Sequence, residues 1–166
     1  LARGGPIAVA GDSAGANLGL ALALALLAED RPAPACGLLF YGAYAADTAT
    51  PSYLRFAEGF GLTRAAMARF WEFYAPDAAM QADPRVSPLQ TDAALLRRLP
   101  PLFLNAAGLD PLLCDSLALA ARLREAGVPH ALRLHEGVHH GFMQMSLRLP
   151  EAQVAIDEAA AFLRGV

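Results

Sequence analysis

An α/β fold, built on a parallel sheet of about four strands flanked by helices, is predicted by three observations. Short apolar runs alternate with longer helix-forming segments along the 166 residues. Most of those short runs are apolar throughout rather than alternating, as strands covered on both faces are. Each is separated from the next by enough chain for a crossover connection, which parallel neighbours require.

Composition sets the bounds. With 55% hydrophobic and 17% charged residues, the chain reads as one compact domain with a substantial core. A net charge of −3 and scattered arginines exclude a nucleic-acid footprint. All 13 basic residues counted as Lys plus Arg are arginine, so Schiff-base chemistry, a phosphate-loop lysine and a Ser-Lys dyad are ruled out for want of an amine. Cys36 and Cys114 lie far apart in apolar sequence and read as free thiols, which points to a cytoplasmic setting. Arg3, the apolar run from Leu18 to Ala28 and Pro34-Ala35-Cys36 mimic a signal peptide, but Asp12, Ser13 and Asn17 interrupt the pattern. The run is also too short to span a bilayer.

The first strand is Ile7 to Ala10, followed by a helix from Gly15 to Glu29 that is apolar nearly all round. Pro32 and Pro34 break the chain before a second strand, Gly37 to Tyr41. Residues from Gly42 to Pro51 are small and polar, a loop. Helices are expected over Ser52 to Phe60 and from Thr63, as N-cap, to Tyr74, the second with Met67, Phe70, Trp71 and Tyr74 on one face. That stripe reads first as packing and second as a lid lining. A structured turn covers Asp83 to Leu89 and a short helix Asp92 to Leu99. Pro101 to Ala107 is the third strand, Ser116 to Ala126 a helix closed by Gly127, and Ala131 to His135 a fourth strand alternating enough to lie nearer an edge. A last helix spans Pro150 to Arg164.

The chemistry centres on Gly11-Asp12-Ser13-Ala14-Gly15. A strand running through a small-residue turn into a helix is the setting of a G-x-S-x-G nucleophile elbow. Gly11 and Gly15 are expected to make room for the close approach of strand, helix and substrate, and Asp12 to hold the turn by local hydrogen bonds. The Ala14 N–H, at the helix start, is the candidate oxyanion donor. In a parallel open sheet the loops at the strands' carboxyl ends gather on one edge. Ser13 follows the first strand, Asp110 the third and His140 the fourth, in the order Ser, Asp, His. His139 competes with His140 as base, and Asp115 and Glu136 with Asp110 as acid. Asp115 is accounted for by capping at a helix start, Glu136 by loop support, and His130 and His135 as strand or surface residues. No metal-ligand spacing is evident and no cofactor is implied.

These residues resemble the hormone-sensitive-lipase-like esterases and lipases of the α/β-hydrolase fold. The likeness rests on Gly11 to Asn17, Asp83-Pro84 with Ser87-Pro88-Leu89, Leu99-Pro100-Pro101, Asp110-Pro111-Leu112 with Asp115, Gly127-Val128 and His140-Gly141-Phe142. It implies Ser13 as nucleophile, His140 as base and Asp110 as the group orienting the imidazole, and it favours His140 over His139 because only His140 directly precedes Gly-Phe. It implies a carboxylic ester hydrolase of short or medium acyl chains working through an acyl-enzyme. Amide or formamide hydrolysis on the same fold, and a vestigial binding domain, stand as alternatives. Residues 47–76 correspond to a small helical cap within a single catalytic domain.

The histidine-glycine-glycine-glycine loop that supplies most oxyanion donors in this family is absent from the 166 residues. The chain, starting at Leu1 without methionine, accordingly reads as the C-terminal portion of a longer protein whose earlier strands are missing. Slow or no turnover is the expectation for it alone. The strand Ile7 to Ala10 would then be a bare edge, open to self-association or to a separate N-terminal segment.

Overall fold

The computed structural model describes residues 5–166, so the readings that involve Leu1 and Arg3 lie outside the described residues. Four strands, β1 (Ala8–Asp12), β2 (Cys36–Phe40), β3 (Leu102–Leu109) and β4 (His130–His139), form one parallel sheet in the order β1-β2-β3-β4. Among the described residues β1 pairs with β2 alone, so β1 and β4 are the two edges. The helices are α1 (Ala14–Ala28), α2 (Pro51–Arg55), α3 (Arg64–Tyr74), α4 (Ala78–Ala82), α5 (Ala93–Leu96), α6 (Leu113–Ala126) and α7 (Pro150–Arg164).

Side-chain alternation on the central strands divides the core into two layers. Leu39 of β2 and Leu102 and Leu104 of β3 face one way and pack with Leu20 and Leu24 of α1, Leu96 of α5, and Leu119 and Leu123 of α6. Leu38 and Phe103 face the other way, onto Ala159 and Phe162 of α7. This is why β2 and β3 read as unbroken apolar runs: both of their faces are covered.

The helix ends obey local chemistry. Thr63 caps α3 by accepting the Ala66 N–H at 3.1 Å. Gly127, at φ 72°, ends α6, and the Val128 N–H returns to the Leu123 carbonyl at 2.9 Å while Val128 packs beside Leu123.

Several boundaries move. β1 runs from Ala8 to Asp12 rather than Ile7 to Ala10, because parallel register with β2 continues to Asp12 opposite Phe40 despite the poor strand propensity of Gly11 and Asp12. β4 extends past His135 to His139 through a register shift beside Ala107 and Leu109. The helix expected over Ser52 to Phe60 shortens to α2, with Gly59 at φ 86° and Gly61 at φ 84° in the chain that follows. The helix α4 carries no periodic apolar signal and no buried residue. Its start is fixed locally by Asp77, which accepts the Met80 N–H at 2.8 Å.

Both cysteines are free. No helix among the described residues is long and apolar enough to cross a membrane.

Candidate active site

Because the strands are parallel, their carboxyl ends share one edge, and the turns leaving β1, β2, β3 and β4 carry Ser13, Tyr41, Asp110 and His140 there. Ser13 sits between the last residue of β1 and the first of α1 with φ 53° and ψ −118°, a conformation sparsely populated by non-glycine residues. Its N–H donates to the Phe40 carbonyl at 2.9 Å, which continues the β1–β2 ladder into the turn and holds the strain in place. Gly11 is required here, since a Cβ would collide with the Gly15 carbonyl. Gly15 is different from expectation: a Cβ there would meet nothing within 4 Å, so the room at the elbow comes from Gly11 alone.

The His140 imidazole bridges the other two groups. Its Nδ1 lies 2.7 Å from Asp110 Oδ2 and its Nε2 2.9 Å from Ser13 Oγ. A carboxylate accepts, so Nδ1 carries the proton, and the free lone pair on Nε2 receives the Ser13 hydroxyl. Asp110 is fully buried, and its other oxygen accepts the Leu112 N–H at 2.9 Å. Both carboxylate oxygens are thus used, which offsets the cost of removing the charge from water.

The competing residues fall elsewhere. His139 is exposed, and its Nδ1–H donates to the His140 carbonyl at 2.7 Å. Glu136 is exposed on β4. His130 donates to the Val128 carbonyl at 2.8 Å, and His135 pairs with Glu158 of α7 at 3.1 Å. Asp12 accepts from the Tyr41 hydroxyl at 3.4 Å, a contact between neighbouring turns rather than within the elbow.

Asp115 was expected to cap a helix starting at Ser116, but α6 starts at Leu113, so Asp115 lies inside its first turn and caps no helix. Its buried carboxylate accepts the Tyr44 N–H at 2.7 Å and the Ala45 N–H at 3.1 Å, tying the loop after β2 to α6. Burial pushes its carboxyl up to about 7, against the opposing pull of those two amides. Asn17, four residues beyond Ser13, holds the same loop from α1 by donating to the Ala43 carbonyl at 2.6 Å and the Val86 carbonyl at 2.8 Å. Ser52 supports the Asp110 turn from α2, donating to the Pro111 carbonyl at 2.6 Å and accepting the Cys114 N–H at 3.1 Å. Asn17 stood within the motif without an assigned role, and Ser52 and Tyr41 carried no local signal at all.

Above Ser13 and His140 lies a cavity of about 550 Å³ with an almost wholly apolar wall. Leu18 and Ala43 form one side, and Leu62 with Met67, Phe70, Trp71 and Tyr74 of α3 the other. The aromatic stripe is divided between packing and the border of the cavity. Met67 and Trp71 are buried against Tyr53 and Leu112, while Phe70 and Tyr74 are exposed, and all four border the cavity. Among the described residues no group of three His, Cys, Asp or Glu side chains is placed to hold a metal ion.

Sequence comparison matches residues 2–144 to a family described as alpha/beta hydrolase fold. The chain is 35% identical over 147 residues to an ethyl acetate hydrolase of Pseudomonas putida, covering 88% of this chain and 46% of that protein. It is 37% identical over 101 residues to the hormone-sensitive lipase of Bos taurus, covering 60% and 13%. Its fold superposes on the crystal structure of a thermostable esterase from Pseudomonas putida with a TM-score of 0.88 at 32% identity, over 92% of this chain and 48% of that one. The chain spans about half the length of the bacterial relatives it matches.

Two outcomes test this geometry. Gly11→Ala is expected to destabilise the fold by about 2 kcal/mol or more in urea unfolding, whereas Gly15→Ala, with open space and better helix propensity, is expected to be neutral or stabilising by up to ~1 kcal/mol. Equal losses would contradict the placement of the elbow. For Asp115, the unfolded chain releases its proton near the ordinary carboxylate value while the folded chain holds it to about 7. Asp115 therefore costs stability as pH rises through that window. Asp115→Asn should be most destabilising near the acid end and converge on the parent toward neutrality, by at most ~1.4 kcal/mol per pH unit. A pH-independent gap in urea melts would overturn the assignment.

Proposed function

The chain belongs to the hormone-sensitive-lipase-like esterases of the α/β-hydrolase fold, and on that premise we propose that it carries the Ser-His-Asp triad of a carboxylic ester hydrolase. The observation that carries the reading is the continuous line from Asp110 through His140 to Ser13, with bonds of 2.7 and 2.9 Å, beneath an apolar cavity.

Ser13 Oγ attacks the ester carbonyl carbon as its proton passes to His140 Nε2. Asp110 keeps the imidazole in the tautomer that can accept this proton and stabilises the imidazolium that results. The carbonyl oxygen becomes an oxyanion, met by the Ala14 N–H at the positive end of α1. Collapse breaks the bond to the alcohol, which leaves with the proton from His140, and Ser13 holds the acyl group. Water, deprotonated by the same imidazole, releases the acid and restores the enzyme. The apolar wall accepts short or medium acyl chains, consistent with a relative named for ethyl acetate hydrolysis. Residues 47–76, containing α2 and α3, act as the cap that excludes water over the acyl group.

The 166 residues contain no histidine-glycine-glycine-glycine loop, and one oxyanion donor is worth roughly 10²–10³ in rate. The 166-residue chain by itself is therefore expected to hydrolyse p-nitrophenyl esters slowly, with what activity it has depending on Ser13. An alkyl fluorophosphonate should label Ser13, fail on Ser13→Ala, and react about 10³-fold or more slowly with His140→Ala. A folded sample in which Ser13→Ala labels as well as the parent would sink the triad, and rapid turnover by the parent would sink the claim of a depleted oxyanion site.

The unpaired edge of β1, from the segment Ile7 to Ala10 onward, is proposed to pair with another copy or with a separate N-terminal segment. Light scattering of the 166-residue chain should show mass rising with concentration. A monomer at all concentrations, with freely exchanging amides at Ala8 and Ala10, would contradict this.

A further inference from the structure

Three non-glycine residues among those described have positive φ: Ser13, Asp30 and Tyr41. Asp30 needs no special account, because it lies in the turn after α1, where short polar side chains tolerate this conformation. Tyr41, at φ 38°, gains nothing locally from it, and glycine would be the unstrained choice. A strained residue persists only where its surroundings over-determine it.

Tyr41 is 1% exposed at the end of β2, between the turns that carry Ser13 and His140. Its N–H donates to the Asn105 carbonyl at 2.7 Å, which pins the backbone. Its ring stands 4.9 Å from the His140 imidazole at an interplanar angle of 65°, and 5.6 Å from the Phe142 ring. Its hydroxyl reaches Asp12, the residue before Ser13, at 3.4 Å. Burial, followed by the neighbouring Asp12 carboxylate, pushes that hydroxyl's pKa up, so it remains a donor.

Packing alone explains the ring but not the hydroxyl, since a buried O–H costs stability unless it is used and phenylalanine would fill the same space. The hydrogen bonds at Nδ1 and Nε2 hold the imidazole at its two ends and resist rolling about the line between them only softly. A ring packed edge-on against its side blocks that motion.

We propose that Tyr41 is a positioning residue for His140, fixing the roll of the imidazole through ring contact and coupling it to the Ser13 turn through Asp12. The inference rests on the triad reading given above, and the test separates the two. In Tyr41→Leu, fluorophosphonate labelling of Ser13 should slow about tenfold or more, as misplacement of a reacting group does, and the pH midpoint of labelling should shift. Tyr41→Phe, which keeps the ring, should stay within about threefold of the parent, losing only the Asp12 link. Independently of labelling, the His140 Nδ1 proton in the NMR spectrum should be slow to exchange in the parent, Ser13→Ala and Tyr41→Phe, and broadened in Tyr41→Leu. If Tyr41→Leu does not fold, Tyr41→Met, whose flexible side chain can adapt to part of the vacated space, is held to the same criteria. Labelling within about twofold of the parent together with an unchanged Nδ1 proton would overturn the role of Tyr41. Failure of the parent to label at Ser13 would overturn the triad reading, and the Nδ1 proton would still decide on Tyr41.

Discussion

The hydrogen bond from His140 to the buried Asp110 carboxylate is the interaction on which the rest of the site depends. It joins the ends of β3 and β4, residues 30 apart in sequence, and it decides which imidazole nitrogen is left to accept from Ser13. A carboxylate removed from water is tolerable only with its oxygens satisfied, and here one is met by His140 and the other by the Leu112 N–H. The same bonds that make Asp110 acceptable in the core therefore fix which nitrogen of the His140 imidazole faces Ser13.

Around this bond, buried polar side chains perform a task that the sheet cannot. Strand pairing fixes where each turn begins, but the long segment between β2 and β3 has no ladder to hold it over the sheet edge. Asn17 from α1 and Asp115 from α6 grip its first part through the Tyr44 and Ala45 amides and the Ala43 carbonyl, and Ser52 returns from α2 to the Asp110 turn. These are long-range contacts between side chain and backbone, each stabilising by about a kilocalorie in net terms and costing more if half broken. They place the apolar wall of α3 above Ser13. The cavity is thus a product of polar anchoring as much as of apolar packing.

How far the sequence could be read varied with the physical nature of each signal. β2 and β3 were legible because strands covered on both faces must be apolar throughout, and α7 because its amphipathic run is long and begins at Pro150. The end of β1 was not, since Gly11 and Asp12 join the strand only through pairing with Leu39 and Phe40. α4 was invisible for want of a buried face. Within the site, Ser13 could be singled out because its small neighbours mark a tight strand-to-helix turn, and Asp110 and His140 because of their places after the third and fourth strands together with the family resemblance. Asp115 was read as a helix cap and its actual task missed, because its partners are 70 and 71 residues away. Tyr41 was unremarked because an aromatic residue ending an apolar strand looks like any other core residue.

The sequence by itself determined the alternation of strands and helices, the strained turn at Ser13, and the order Ser, Asp, His at the ends of the first, third and fourth strands. All of these follow from local propensity, periodicity and the geometry of parallel sheets. Only the tertiary structure decided which histidine nitrogen faces which partner, that Gly11 and not Gly15 is indispensable at the elbow, and that Tyr41 stands against His140. Those are matters of a few ångströms between segments remote in sequence, set by the register of β1 on β2 and β3 on β4 and by side chains reaching across the sheet edge, and no local pattern of residues encodes them.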